Sequence, residues 1–482
     1  MVSEPGDEAP AGAGSDHRKR GWYRDLVTDT MACVDDVQRL VLVGNGSATF
    51  PAVRYVLLAV ERPGAARRLL AGLVERPGHD PLRLSRASDA VAGPGAPRID
   101  AEKGTARLAV AFTAAGLRAI GLPDEELSTF PAEFREGPHA RSQLLGDTDA
   151  NAPGHWIAPF RTEDAARLHV VVGLWERPHV QGHLDLADRL TAGGFQVLGE
   201  LRGHLLEDNR EPFGFRDGVG QPVVPGLEWC SDTRKLGQLP TADRLVPVGE
   251  FVLGRRGELG DVSRWRVPGR APRDQDRVGF HGSFAALRVM RQDVRAFEAW
   301  KATQGDRAEA AAARLVGRTA SGAPLRPEGA SPDDENFDFG DDLDGDACPL
   351  GSHVRRVHPR AGRIVSRGRH QRRLIRRGSP YAAPGPAEGG AGADADAPET
   401  GLIGVFVCAN LAAQYEGVLG EWVHHGLHHP DLTGTSDPLI GSRGADTAGR
   451  LGGLAQFVYT RGVAYLFLPG VTGLRRLAAR GR

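Results

Sequence analysis

The sequence predicts an α+β fold in which peripheral helices pack on antiparallel sheets, and three observations predict it. Short β-rich runs alternate with helical runs from Arg39 onward. The alternation occurs twice, once on each side of a boundary near Leu206. Hydrophobic residues at 40% against 25% charged ones are the balance of a globular chain able to build a substantial core.

In the first half, Arg39 to Val43 and Arg54 to Val60 are β-rich runs, and Ala65 to Val74 spaces Leu and Ala as a helix does. Arg107 to Phe112 reads as a strand and is followed by a helix from Thr113 to about Gly121, then by a turn-rich stretch through Gly154. Leu168 to Leu174 is strand-like, Leu184 to Leu190 helical and Phe195 to Leu201 strand-like again. The second half repeats the style. Phe251 to Leu253, Ser283 to Met290, Leu402 to Cys408 and Val463 to Leu468 read as strands, and Asp293 to Lys301 and Ala308 to Leu315 as helices. The expected organisation is a disordered tail over 1–30, a first domain over 31–206 and a second over 207–482. Residues 384–400, nearly all Ala, Gly, Pro, Asp and Glu, are expected as a mobile surface loop because they lack the apolar residues needed to pack.

Charge and cysteine usage narrow the partners. With 60 basic against 61 acidic residues there is no global field to draw the protein onto nucleic acid or an anionic membrane. No stretch approaches the roughly 18 apolar residues of a spanning helix, and no apolar segment follows the basic run His17 to Arg20, so neither a membrane span nor a secretory signal is expected. Cys33, Cys230, Cys348 and Cys408 are far apart and form no CxxC pair, which fits a reducing cytoplasm better than a disulfide scaffold or a zinc ribbon.

Three segments carry chemistry. In Glu211 to Pro222 the glycines enforce a tight turn in which Phe213 and Phe215 precede a single carboxylate, Asp217. Asp-Gly alone is an ordinary turn dipeptide. A carboxylate held beside apolar rings, however, can have its pKa tuned for proton transfer. In Cys348 to Arg360, His353 is followed by several cations, a pattern that suits axial ligation of a haem iron with guanidinium groups meeting propionate carboxylates. The plainer reading is a basic loop with an incidental histidine. In Arg372 to Tyr381 a run of arginines, ordinarily a solvated face, is interrupted by Leu374 and Ile375, so one arginine could turn inward beside an apolar wall.

Taken in order, the GxxDG turn at Gly214 to Gly218, the Cys-Pro…His-x-Arg segment and the Arg-x-Gly-x-Pro-Tyr segment resemble the motifs of the dye-decolorizing haem peroxidases, in particular their larger classes. The resemblance extends through Phe130 to Phe134, Gly282 to Phe284, Arg291 to Asp293 and Gly401 to Asn410. It implies two ferredoxin-like α+β halves in a barrel-like arrangement, with haem b in the C-terminal one. It implies that Asp217 moves the proton of hydrogen peroxide, that Arg376 stabilises the departing oxygen and that His353 is the proximal iron ligand. Phe215, Gly218, Arg360 and Phe406 would join His353 in binding the cofactor, and an organic electron donor of phenolic or dye-like type would complete the cycle. Trp422, Tyr415 and Tyr381 are candidates for relaying electrons. The chain departs from the family pattern at Ser352, where Ala is common, and at His358 and His281, where Asn is usual; Glu416 is the carboxylate offered as partner to His353.

Two other readings belong beside this one. A haem-binding protein that stores or delivers the cofactor or releases its iron, with incidental peroxidase activity, would need the same pocket. The cluster His424 to His429 could hold a transition metal, although no accompanying carboxylate or cysteine fixes a geometry. Asp342 to Asp346 has the look of a calcium loop, but its twelfth position is His353 rather than Glu, and it is read as an acidic loop.

Overall fold

The computed structural model describes residues 13–76, 82–90, 106–177, 186–205, 209–227, 244–259, 267–326, 328–360, 372–383, 399–441 and 454–480. Eight strands form one sheet: β1 Ala52–Val60, β2 Ala106–Phe112, β3 Val170–Glu176, β4 Phe195–His204, β5 Ser283–Gln292, β6 Ile375–Ala383, β7 Glu399–Cys408 and β8 Val458–Leu468. Their order is β4-β1-β3-β2-β8-β5-β7-β6. Ranked along the chain, each half has the order fourth, first, third, second, with every pairing antiparallel. Helices intervene after the first and third strands of each half, at Pro63–Glu75 and Leu186–Ala192, and at Val294–Thr303 with Ala308–Val316 and Leu411–His424. This repeated β-α-β-β-α-β arrangement is the ferredoxin-like α+β architecture the sequence implies.

The halves meet where β2 pairs with β8 at Phe112 and Phe467. Both rings are buried, and Phe467 packs edge-on against Phe130 at 5.2 Å and tilted against Phe284 at 5.7 Å. At the other ends of the sheet, β4 and β6 come together: a Cβ added at Gly203 would meet the Ser379 Cβ at 2.7 Å. The sheet therefore curls toward a barrel. β1 and β3 read as nearly unbroken apolar runs because they are buried on both faces. Side chains set the helix starts: Thr113 accepts from the Gly116 N–H at 3.0 Å and Asp293 from the Ala296 N–H at 2.9 Å.

Several expected elements differ. Arg39–Leu42 is a short buried helix rather than a strand. The edge of β2 that it could have extended is already satisfied by side chains, because Gln38 donates to Val110 O at 2.8 Å and accepts from Val110 N at 3.0 Å, and Ser85 Oγ accepts from Leu108 N at 3.1 Å. Phe251 to Leu253 is a buried turn following a 3₁₀ turn at Val248–Glu250, an apolar run whose length does not separate strand from other buried structure. The tail expected over 1–30 is helical from Ala13 to Met31. Its C-terminal end is anchored by Met31 against the core and by Asp29, which pairs with Arg255 at 3.3 Å and accepts from Arg256 N at 3.2 Å. Glu399 and Thr400, expected in the mobile loop, begin β7; residues 384–398, the boundary at Leu206, Cys230 and residues 1–12 lie outside the described residues. β6 reads in the sequence only as an arginine run, and the helix Val471–Ala479 carries no comparably clear signal there. Among the described residues no helix is long and apolar enough to cross a membrane.

One polar cluster ties the N-terminal segment to the second half. Asp36 accepts from the Thr472 N–H at 2.6 Å and lies 3.0 Å from His281 Nδ1, whose other ring nitrogen accepts from Arg255 Nε at 3.0 Å. Burial alone would raise the Asp36 carboxyl, but its hydrogen bonds to His281 and Thr472 hold it below the ordinary carboxylate range. A depressed carboxyl contributes stability that is present above its unfolded pKa, about 3.9, and is lost as pH falls through the folded value. Asp36→Asn therefore lowers the melting temperature at neutral pH and flattens its fall below about pH 4; thermal melts between pH 7 and 3 check this, and parallel curves for the two proteins contradict it.

Candidate active site

A cavity of about 520 Å³ lies between the second half of the sheet, the 209–221 loop and the helix His353–Val357, with residues 40–46, Tyr55 and Trp175 of the first half closing one side. It gathers Asp217, Arg376, His353, Phe215, Gly218 and Phe406 from four separate stretches of chain. Arg360 is not among the lining residues.

The loop that carries Asp217 is held from inside. Glu211 accepts from the N–H groups of Phe213 at 3.0 Å and Phe215 at 2.8 Å and from Gln292 Nε2 at 2.5 Å; burial pushes its carboxyl upward. Phe213 and Phe215 pack on Phe297 at 4.5 and 6.4 Å, which fixes the apolar side of the turn. Gly214, Gly218 and Gly220 have φ of 90°, 78° and 72°, the left-handed region that glycine enters without strain. Asp217 Oδ1 accepts from the Gly218 N–H at 2.6 Å, and its main chain exchanges two bonds of 2.7 Å with Asn209. Asp217 Oδ2 approaches β6 so closely that a Cβ on Gly378 would meet it at 2.7 Å.

Arg376 stands on β6 opposite Phe406 of β7. Its backbone exchanges bonds with the Gln221 amide at 3.1 and 3.0 Å, and its Nη2 donates to Val219 O at 2.6 Å, so strand and loop are locked together. Burial holds the guanidinium below its ordinary pKa, while Asp217 and Glu335 oppose that shift. Glu335, which sequence reasoning missed, ties the same loop from beneath by accepting from Gly220 N at 2.9 Å and Arg318 Nη2 at 3.3 Å.

His353 opens its helix with Nδ1 3.0 Å from Asp437 Oδ2, and among the described residues its Nε2 has no hydrogen-bond partner. Asp437 is fully buried; burial would raise its carboxyl, but His353, Arg356 and the N–H of Ile440 hold it down. The carboxylate offered from sequence, Glu416, is instead committed to Arg141 and to the Tyr465 hydroxyl at 2.8 Å. The one signal for Asp437 was its Asp-Pro turn, in which it accepts from Leu439 N at 2.9 Å and Ile440 N at 3.0 Å.

The arginines expected to meet cofactor carboxylates have structural partners. Arg355 donates to Asp342 Oδ2 at 2.9 Å and Cys348 O at 2.6 Å, and Arg356 donates to the carbonyls of Trp422 and Thr435 at 3.0 Å each. Arg360 lies 3.6 Å from Glu335, 3.8 Å from the Phe337 ring centroid, and donates to Phe337 O at 2.9 Å, behind the residues that line the cavity. Asp342 of the acidic loop caps Ala347 and Cys348 N–H groups and thereby braces the histidine helix. Among the aromatic candidates, Tyr415 lines the cavity, Tyr381 donates to Glu399 at 2.9 Å and Trp422 lies 5.0 Å beneath Arg372. The histidine cluster does not assemble a metal site: among the described residues no group of three His, Cys, Asp or Glu could hold an ion. Burial pushes His424 down to about 4 and His428 to about 3, keeping both neutral.

No protein-family model matches the chain. It is 29% identical over 418 residues to a dye-decolorizing peroxidase of Exidia glandulosa, spanning 77% of this chain and 76% of the relative. It is 27% identical over 431 residues to the one of Mycena epipterygia, spanning 77% and 76%. Among solved structures, a dye-decolorizing peroxidase in complex with 2,6-dimethoxyphenol matches with a TM-score of 0.69 at 25% identity, covering 92% of this chain and 99% of that one. By these matches, and by a repeated sheet order that encloses one charged cavity, the chain is similar in sequence and in fold to the dye-decolorizing peroxidases, and the likeness marks it as a peroxidase, an oxidoreductase that acts on peroxide.

Proposed function

We propose that the chain binds haem b through His353 in this cavity, reduces hydrogen peroxide with Asp217 and Arg376, and takes electrons from phenolic or dye-like donors. The observation that carries the reading is the convergence of Asp217, Arg376 and His353 on one cavity from three distant stretches. The residues fit the cofactor. A cavity of about 520 Å³ falls in the range of roughly 300–1,000 Å³ usual for cofactor sites. Val316, Leu402, Phe406, Leu439 and Ile440 give it apolar walls. The imidazole is oriented as a ligand, its Nδ1 fixed by a carboxylate and its Nε2 left for a metal. Phe215 and Phe406 would bound the ring, and Gly218 would admit it closely for want of a side chain.

Haem, when bound, supplies the iron at which the peroxide bond is cleaved and the capacity to hold two oxidising equivalents. The protein's part is acid–base and electrostatic. Ionised Asp217 accepts the proton of the inner peroxide oxygen and returns it to the outer one, which leaves as water. Arg376, pinned by Val219 O, presents a fixed cation to the charge growing on that oxygen, which is worth most where water is excluded. Asp437 keeps the His353 Nδ1 proton and so the electron-rich form of the ligand. Over a full cycle, one peroxide takes two electrons and two protons from two donor molecules and yields two waters. The complex of a related enzyme with 2,6-dimethoxyphenol supports a phenolic donor. The buried free thiols of Cys33, Cys348 and Cys408 support the cytoplasmic location expected from sequence, and the repeated strand order supports the division into two domains.

Asp217→Asn and Arg376→Leu are each expected to retain the cofactor absorption band and to react with one equivalent of peroxide about 10²-fold more slowly or worse. Stopped-flow spectra decide it: unchanged rates in both contradict the assigned roles, and release of intact porphyrin without dye bleaching by the unaltered protein favours a haem-handling protein instead. A second test uses the crowding on β6. Gly378→Ala leaves the fold and cofactor content intact but displaces Asp217, lowering kcat by about tenfold or more, since small misplacements of a catalytic group carry penalties of that order. Wild-type kcat in a soluble Gly378→Ala protein would show that the contact does not position the carboxylate.

A further inference from the structure

Seven arginines line the cavity: Arg216, Arg288, Arg318, Arg372, Arg373, Arg376 and Arg377. Four have a carboxylate partner: Arg216 with Asp333 at 2.8 Å, Arg288 with Asp147 at 2.5 Å, Arg318 with Glu335 at 3.3 Å and Arg372 with Glu421 at 2.5 Å. Arg376 faces Asp217 across the site. Arg373 is different. It is buried, yet among the described residues it has no carboxylate within ion-pair distance; its guanidinium donates to His358 Nε2 and, at 3.1 Å, to Gly220 O. Two of its five N–H donors are thus engaged, neither of them by a carboxylate.

The surroundings make this cation costly. Burial, followed by the guanidiniums of Arg376, Arg360 and Arg244, holds Arg373 well below the ordinary arginine pKa, with Glu335 offsetting only part of the effect. A buried charge without a counter-charge is among the most destabilising features a fold can carry. It is also held in place: the Arg373 carbonyl accepts from Gln414 Nε2 at 2.7 Å, and the same Gln414 donates to Glu250 O at 2.9 Å. A rigid, unneutralised guanidinium lining a cavity is a binding site for an anion, and its planar fork matches a carboxylate.

We propose that Arg373, oriented by His358 and Gly220, is the carboxylate-binding residue of this cavity, and that its ligand is a carboxylate arm of the porphyrin. This rests on the haem reading above and replaces Arg360 in the part that the sequence assigned to it. His358, the departure from the usual Asn, then orients the fork, accepting from one arm and leaving the rest of the guanidinium facing the ligand.

The test uses the full chain reconstituted with haemin and with haemin dimethyl ester, which keeps the iron and ring but lacks both carboxylates. Transfer of cofactor to excess apomyoglobin is followed by absorption. The unaltered protein is expected to lose the ester about tenfold faster than the diacid, a ratio typical of one charge-assisted pair. Arg373→Met lowers that ratio by about tenfold, while Arg373→Lys, which keeps the charge, retains most of it. Circular dichroism establishes that both variants are folded; should the Met variant fail to fold, Arg373→Gln takes its place. A donor carboxylate is the other source of the same chemistry, and it is distinguished by KM: an unchanged ratio with a KM for 4-hydroxybenzoate raised relative to phenol moves the ligand from porphyrin to donor and overturns the porphyrin assignment. An unchanged ratio with unchanged KM values overturns the site altogether. Uptake of neither cofactor by the unaltered chain contradicts the haem reading itself, an outcome separate from all of these.

Discussion

The matching of buried positive charge around one cavity is the constraint on which the rest of this structure depends. Arginine cannot shed its proton to escape burial, so each guanidinium withdrawn from water needs a carboxylate, a set of carbonyls or a ligand. Those partners come from distant chain segments. Asp147 reaches Arg288 from the connection between β2 and β3, Asp333 and Glu335 reach Arg216 and Arg318 from the stretch preceding the histidine helix, and Glu421 reaches Arg372 from the helix Leu411–His424. The Arg288 pair fastens a connection to the sheet, and the other three fasten connections to one another or to a helix. The Arg288 pair also recruits the Thr460 hydroxyl, at 2.6 Å from Nη2, and the Tyr415 hydroxyl, at 3.4 Å from Nη1, so that β5, β8 and the Leu411–His424 helix share one buried polar node.

Much of this was legible in the sequence, for identifiable reasons. Strands such as β1 and β3 declare themselves because burial on both faces forces unbroken apolar runs, and the helices after Thr113 and Asp293 begin at side chains that cap them. Asp217, His353 and Arg376 could be proposed from the sequence because the order of three motifs constrains more than any one of them. What failed were properties that depend on contacts across the chain. Arg39 to Val43 has strand composition, but Gln38 and Ser85 already occupy the β2 edge. Asp437 lies 84 residues beyond His353 in a loop that resembles any turn, and nothing in its spacing points back. Arg360 follows the histidine helix in sequence, and its partners Glu335 and Phe337 are visible only in the fold.

The first half of the molecule contributes to the site without supplying any of its proposed catalytic groups. Its Leu40 and Val41 carbonyls accept from Arg377 at 3.0 and 3.3 Å, which fixes β6 one residue from Arg376. Gly44, at φ 85°, comes so near the same guanidinium that a Cβ would meet Arg377 Cζ at 3.3 Å. Because neighbouring residues on a strand point to opposite faces, holding Arg377 on one side sets the direction of Arg376 on the other. The close approach of β4 to β6 at Gly203 acts on the same strand. The curled sheet therefore makes the cavity a product of both halves.

The two sides of the cavity are held by largely separate sets of bonds. Asp217 and Arg376 are fixed by bonds among the 209–221 loop, β6 and Glu335. His353 is fixed by Asp437, by Arg355 on the acidic loop and by Arg356 on the carbonyls of Trp422 and Thr435. Arg356 spans the turn that delivers Asp437, so the imidazole and its carboxylate are held by a single short helix and the loop it clasps. Arg373 joins the two, through His358 to the histidine segment and through Gly220 to the aspartate loop, and Arg360 joins them through Glu335. A ligand neutralising the Arg373 guanidinium would therefore touch a residue already bonded to both sides.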